Sequence, residues 1–290
     1  MKTPLLLTLF LSFGLCVAQA QTGLEIMKKM DLESKALAES SFSVMSLTTC
    51  KFGKKQNRIR CIEQPRVKKM ESAQLGTGAG KLDSKSISIL LLPNSEKGIG
   101  MLSYSYDDPT KDTQSWLYLS ALGKVKRMAS GSDDEAEPTS VFGSEFTTED
   151  METGKVEEYS YRILKTTTFK KRPVWIIESV PNAERLKKTR YAKTILWVDQ
   201  ERYLALKIQT FDKRGKAYKQ LAFSKVEQVT GHWMARSIVI INQQTNRLTK
   251  MSMEKIAPGV KIDEDFLSQR SLTDFAFREK HLDQLRKQMH

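Results

Sequence analysis

From Ser41 onward the chain alternates apolar and polar residues with period two, and repeats this between short runs of Gly, Pro, Asn and Asp. That period puts every second side chain on one face of an extended strand, so the pattern confines the chain to sheet with a buried face. Phe42, Val44 and Ser46 begin it. Ile87, Ile89 and Leu91 share a face before Pro93-Asn94, and Leu102, Tyr104 and Tyr106 share the next. Trp116 to Leu119 follows the break at Asp107-Asp108-Pro109. The second half keeps the rhythm in Val156 to Leu164, Val174 to Ile177, Thr194 to Val198 and Tyr203 to Phe211, where Leu204, Leu206 and Ile208 align. Gly215 marks a hairpin turn, and Lys219 to Val226, Trp233 to Ile241 and Arg247 to Lys255 complete a meander. At least nine strands at hairpin spacing describe one large antiparallel sheet, and a twisted sheet of that size curls.

Two stretches depart from period two. In Thr22 to Ala38, Leu24, Ile26, Met27, Met30 and Leu32 fall at helical spacing behind Thr22, a good cap, so a covering helix is expected. Asp274 to Met289 spaces Phe277, Leu282 and Leu285 as a helix expected to fray at its end. Midway, Trp116 to Met151 passes from an aromatic strand through a basic turn and a Ser/Asp/Glu/Pro-rich loop, Ala129 to Ser140, and re-enters structure at Val141-Phe142-Gly143-Ser144-Glu145-Phe146. No linker or repeat divides the chain, so residues 21–290 read as a single, mainly β domain.

Residues 1–20 stand apart as a secretory signal peptide: Lys2, an apolar run from Leu5 to Val17, and Ala18-Gln19-Ala20 as the cleavage site. Leu15 before Cys16 does not fit a lipid-anchored leader, and no later apolar run approaches the roughly 18 residues of a membrane helix. Export to a periplasm is therefore expected. Removal of the leader leaves Cys50 and Cys61, an even pair in an oxidising compartment and hence a disulfide clipping a hairpin around Gly53 and Asn57. The formal charge of +13 falls by Lys2 alone, to +12. That charge favours anionic lipid headgroups or acidic protein surfaces, and export argues against nucleic acid.

Catalytic patterns are lacking. His232, His281 and His290 share no metal-ligand spacing. Gly76 to Lys81 fails the phosphate-loop rule, because Leu75 stands where the first glycine belongs and Leu82 follows the lysine. There is no G-x-S-x-G elbow. The acids Asp133-Asp134-Glu135 and Glu149-Asp150 sit in loop-like surroundings, and nothing favours paired carboxylates for glycoside hydrolysis. The chain reads as neither an enzyme nor a cofactor or metal protein. What it has in quantity is apolar and aromatic strand surface, and the incompletely filled concave side of a curled sheet is an apolar pocket.

The same residues carry a family resemblance. Trp116-Leu117-Tyr118-Leu119, Ala121 to Arg127, Phe142-Gly143-Ser144-Glu145-Phe146 and Glu149-Asp150-Met151 resemble the outer-membrane lipoprotein-sorting protein family, the LolA-like periplasmic carriers. Pro93 with Lys97-Gly98, Leu196 to Asp199 and Tyr203 to Lys207 extend the likeness over most of the mature chain. Ser120 stands where the family usually has proline, and Glu145 where it has Asp. The resemblance implies a half-open β-barrel with helices covering its concave face, and a lipid or acylated protein held there by burial. It also implies an inner-membrane export permease as partner, transient contact with a membrane surface, and a monomer. The lipid cavity is expected to be lined by Leu102, Tyr104, Trp116, Tyr118, Phe142, Leu206 and Ile208. The face of the Trp116 to Leu119 strand that points inward stays open, as does a role for Asp133 to Glu137 as a lid. The other reading is a regulatory or structural protein-binding module of the same fold that carries no ligand.

Overall fold

The computed structural model describes residues 21–37, 39–56, 58–108, 110–128, 139–151 and 154–289. The expected leader and the acidic loop 133–137 lie outside the described residues. Fourteen strands form one antiparallel sheet. In chain order they are β1 (Ser40–Lys55), β2 (Arg58–Cys61), β3 (Arg66–Thr77), β4 (Asp83–Leu92), β5 (Gly100–Ser105), β6 (Gln114–Leu119) and β7 (Lys124–Met128). The second half supplies β8 (Tyr159–Phe169), β9 (Arg172–Pro181), β10 (Tyr191–Asp199), β11 (Ala205–Asp212), β12 (Ala217–Val229), β13 (His232–Asn242) and β14 (Arg247–Pro258). The helices are α1 (Gly23–Leu37), α2 (Thr148–Met151), α3 (Ala183–Lys188), α4 (Gln269–Thr273) and α5 (Phe275–Lys287).

The strand order is β7-β6-β5-β4-β3-β1-β14-β13-β12-β11-β10-β9-β8, with β2 paired to β1 alone. The chain therefore starts in the middle of the sheet and runs out to one edge at β7. It then crosses to the other edge at β8 and returns to pair β14 with β1. Cys50 and Cys61 are disulfide-bonded with their Cα atoms 5.7 Å apart, closing the β1–β2 ribbon as the even cysteine pair predicts.

The sheet is curled but not closed. Asp112 precedes β6, second in the order, and Lys188 follows β9, twelfth in the order, so ten strand steps separate them. Flat, those steps would span about 48 Å at the usual spacing, yet Lys188 Nζ lies 2.6 Å from the Asp112 carboxylate. β7 and β8 do not pair with each other, so the barrel is half-open.

Cross-strand register separates the two faces. On the convex face a row runs Phe42-Ala73-Ile87-Leu102-Trp116 across β1, β3, β4, β5 and β6. On the concave face a row runs Ile240-Leu221-Ile208-Leu196-Ile177-Ile163 from β13 to β8. Met45-Met70-Leu90 and Met101-Leu117 continue the concave face into the first half. The convex row is buried under the C-terminal segment, whose Phe266, Leu267, Leu272, Leu282 and Leu285 join it in one cluster. Gly100 admits this approach: a Cβ there would stand 2.8 Å from Leu272 Cδ2 and 2.7 Å from Ile89 Cδ1.

The structure corrects several expectations. α5 does not fray. Leu282 and Leu285 are 1% and 3% exposed, and the helix packs on the convex face. β3 and β7 do not stand out by alternation. Arg66–Thr77 buries only Met70, Glu71 and Ala73, too sparse a pattern to stand out, and Lys124–Met128, read as a turn, is an edge strand. β8 starts at Tyr159 after a short 3₁₀ turn, Val156–Glu158, and β9 extends well beyond 174–177 in both directions. α1 agrees with the expected helix. Thr22 Oγ1 accepts from the Glu25 N–H and the Glu25 carboxylate accepts from the Thr22 N–H, a reciprocal cap.

Candidate functional site

On the concave face one segment packs apolar side chains against both halves of the sheet. Segment 139–151 crosses it between the β7 and β8 edges and puts Val141, Phe142 and Phe146 against Leu47, Met70 and Leu90 on one wing and Leu221 and Ile240 on the other. Phe142 and Phe146 are 7% and 2% exposed. Two successive left-handed residues make this possible: Phe142 at φ 51° and Gly143 at φ 69° reverse the chain so that both rings enter the barrel. A left-handed non-glycine residue costs roughly 1–2 kcal/mol, an expense that burying two Phe side chains, each contributing about 1.5–3 kcal/mol, outweighs.

Hydrogen bonds hold this plug as a compact unit. Val141 N–H donates to the Phe146 carbonyl (2.8 Å) and Thr148 N–H to the Thr139 carbonyl (3.1 Å), while Ser140 Oγ donates to the Ser144 carbonyl (2.6 Å). Its attachments to the barrel are polar. The Glu145 carboxylate accepts from Arg247 Nε at 2.9 Å and Asn242 Nδ2 at 3.1 Å, and its N–H donates to Thr249 Oγ1 at 2.9 Å. Asp150 accepts from Lys219 Nζ at 2.5 Å, from Thr147 and from the Tyr191 hydroxyl. Glu149 accepts from Thr189 and from the Arg190 N–H. The Lys219–Asp150 pair is buried, each side chain 2% exposed. Burial, reinforced by the Asp150 and Glu149 charges, holds the Tyr191 phenol protonated well above its ordinary range, so it donates to Asp150.

Beside the plug, α1 covers the β8–β13 part of the concave face. It inserts Ile26 and Met27 against Ile177, Leu196 and Val198. Met30 packs against the same cluster, and α1 adds charged and cation–π contacts: Glu33 to His232 (2.7 Å), Lys35 to Asp107 (3.0 Å), and Lys29 Nζ over the Tyr203 ring (3.9 Å). Leu24 and Leu32 stay exposed. Ile208 touches both the plug cluster and the α1 cluster, so the apolar lining is continuous.

The seven residues expected to line one cavity fall on two faces. Phe142 and Ile208 are on the concave side, whereas Leu206, two residues from Ile208 at a bulge in β11, is buried but joins none of the apolar clusters. Leu102, Tyr104, Trp116 and Tyr118 are on the convex side beneath α4 and α5, where Tyr104 and Trp116 pack edge to face at 5.0 Å and the Tyr104 hydroxyl donates to the Leu267 carbonyl at 2.7 Å. In β6 it is Leu117 that points inward. The concave lining that sequence reading missed is rich in methionine: Met45, Met70, Met101 and Met251. Met is unbranched and polarizable and fills irregular space, so methionines at inward positions were the available signal. Lys219 was missed because a lone lysine in an alternating strand reads as solvated.

A recess of about 400 Å³ opens on the convex side and is lined in part by Lys69, Glu71, Glu254, Lys255 and Arg286. Four of its lining charges pair, Lys69 with Glu254 at 2.8 Å and Arg286 with Glu71 at 2.7 Å, and Lys255 is the remaining cation. The concave face is the better candidate on chemistry: an apolar lining closed by a short plug that polar groups anchor.

A family model whose description reads "Uncharacterized protein" matches residues 82–274. Comparison with curated protein sequences gives no match. Among solved structures, the chain is similar to a domain from Vibrio parahaemolyticus described as an outer membrane lipoprotein-sorting protein domain, with 24% identity and TM-score 0.73 over 87% of this chain and 98% of that one. It is similar to a DUF1329 family protein from Desulfovibrio piger ATCC 29098, with 20% identity and TM-score 0.74 over 86% and 97%. A LolA superfamily protein from Nitrosomonas europaea aligns with 12% identity and TM-score 0.60 over 86% and 98%.

Proposed function

The chain belongs to the family whose model spans residues 82–274 and has the LolA-like fold of the lipoprotein-sorting proteins, and from that premise we propose that it is an exported carrier of acyl chains. After loss of residues 1–20, residues 21–290 act as one unit in the periplasm. The ligand is a lipid or an acylated protein, taken from or passed to an inner-membrane export permease, with no catalytic group engaged.

One observation supports this reading: the concave face is a continuous apolar lining whose central cover is a 13-residue plug, 139–151, that holds only a 3₁₀ turn and the four-residue α2. An acyl chain that takes the place of Phe142 and Phe146 keeps the lining dry. Ten buried methylenes would contribute about 8 kcal/mol, enough to offset release of the two rings. Selection rests on burial, which suits a carrier that has to release its load.

The test is native mass spectrometry and lipid extraction of protein purified from the periplasm, followed by binding of a fluorescent fatty-acyl probe. Co-purifying lipid is expected, with saturable probe binding that Leu206→Arg abolishes. Met101→Trp, which fills space without burying a charge, should weaken it. A folded wild type with neither bound lipid nor probe binding contradicts the carrier role and leaves the protein-binding module.

A further inference from the structure

We propose that the disulfide-closed β1–β2 ribbon is a docking surface for the anionic headgroup layer of a membrane. From Lys51 to Arg66, six Lys or Arg residues stand against one acid, Glu63. β2 pairs only with β1 and lies off the main strand path, and all four of its residues are exposed. Pairing of Gly53 with Arg60 and bonding of Ile62 N–H to the Lys51 carbonyl put Lys51, Arg58, Arg60 and Ile62 on one face of the ribbon. Gly53 keeps that face open, because a Cβ there would meet Ile62 Cγ2 at 2.8 Å. Ile62 is 63% exposed and, on the other face, Ile59 is 42% exposed beside Lys54.

Lys51, Arg58 and Arg60 beside the exposed Ile62 are the chemistry of a surface that meets phosphates and then shallow acyl carbon. Lys51, Lys54, Arg58 and Arg60 form no ion pair among the described residues, whereas the neighbouring Lys68 and Lys69 are engaged by Glu96 and Glu254. An acidic protein surface would satisfy the cations and gain less from the exposed Ile62, so a bilayer is the occupant. The ribbon also adjoins the plug. Phe52 N–H donates to the Asn246 carbonyl at 2.9 Å, and Arg247 reaches both Glu63 (3.7 Å) and the plug's Glu145 (2.9 Å). Docking would thus bring the plug to the headgroup layer; this use of the ribbon rests on the carrier reading, while its test does not.

The experiment is co-sedimentation of the full mature chain with vesicles of equal parts phosphatidylcholine and phosphatidylglycerol, against phosphatidylcholine alone. Wild type is expected to bind the mixed vesicles only, and less as salt rises. Arg58→Glu/Arg60→Glu should weaken binding roughly tenfold or more, and Arg58→Gln/Arg60→Gln, which only neutralises, should weaken it less. Lys170→Glu/Lys171→Glu, an equal charge change at the β8–β9 turn, should retain binding. Equal losses in the two Glu variants, or no binding by wild type, overturn docking at this ribbon. Probe binding measured without vesicles should be unchanged in Arg58→Glu/Arg60→Glu. A protein that sediments with vesicles but takes up no probe sinks the carrier role and keeps the docking surface.

Discussion

The convex and concave faces of this sheet are both covered, but by different means. On the convex face the C-terminal segment contributes Phe266, Leu267, Leu272, Leu282 and Leu285, none more than 3% exposed, in a cluster with Phe42, Ile87 and Leu102. On the concave face α1 contributes Ile26 and Met27, and the plug only Val141, Phe142 and Phe146. Carboxylates hold the plug: Glu145 to Arg247 and Asn242, and Asp150 to Lys219 and Tyr191. An apolar cover that lifts exposes its whole face to water. A plug held by hydrogen bonds lifts at lower cost, because water takes over those bonds and a ligand can take over the apolar part. The convex cover has polar ties as well, Arg286 to Glu71 and Tyr104 to the Leu267 carbonyl, but on the proposed reading its larger apolar share makes it core and the plug removable.

The largest effect should separate them most clearly. Phe266→Ala should destabilise the whole protein by about 3–5 kcal/mol in chemical denaturation, as expected for deleting a fully buried aromatic side chain. Phe142→Ala should cost less overall and raise acyl-probe binding. Lys219→Met comes next. Leaving Asp150 buried without its partner should ease plug opening by about 3 kcal/mol, seen as roughly hundredfold faster amide exchange confined to 139–151. Lys219→Met/Asp150→Leu, which removes both charges, should restore most of the protection. If Lys219→Met instead unfolds the entire sheet, the plug is as integral as the convex cover.

Cys50→Ser/Cys61→Ser should lower global stability by about 3 kcal/mol and leave the two covers in the same order of stability. Exchange protection that falls first in 139–151 would tie the ribbon to the plug through Arg247. The smallest effect belongs to Gly143→Ala. At φ 69° the added Cβ meets only Lys68 Nζ, at 3.6 Å, so the cost of about 1–2 kcal/mol is backbone strain and should appear only as faster plug exchange.

Much of this architecture was legible in the residues. Alternation gave the curled antiparallel sheet, Thr22 gave the helix start, and the cysteine pair gave the ribbon. Faces were harder. Trp116 and Tyr118 look like cavity aromatics, yet α4 packs on their side and Leu117 takes the inside, because alternation says which residues share a face and not what lies on it. β3 was missed because Glu71 and Lys68 keep it polar, one paired with Arg286 and the other with Glu96. Glu149-Asp150 read as solvated acids for want of a visible partner, since Lys219 and Tyr191 lie some 70 and 40 residues away along the chain. Partnerships of that range depend on register accumulated across the whole sheet.

The most direct test of the central claim is photo-crosslinking with a diazirine-bearing fatty acid, followed by mass spectrometric mapping of the labelled residues. Labelling is expected on the concave lining, at Met45, Met70, Leu117, Ile208 and Met251, with protection of 139–151 reduced when the probe is bound. Labelling at Leu102, Tyr104 or Trp116 under α4 and α5, or no specific labelling of folded protein, would contradict the claim that the concave face is the carrier site.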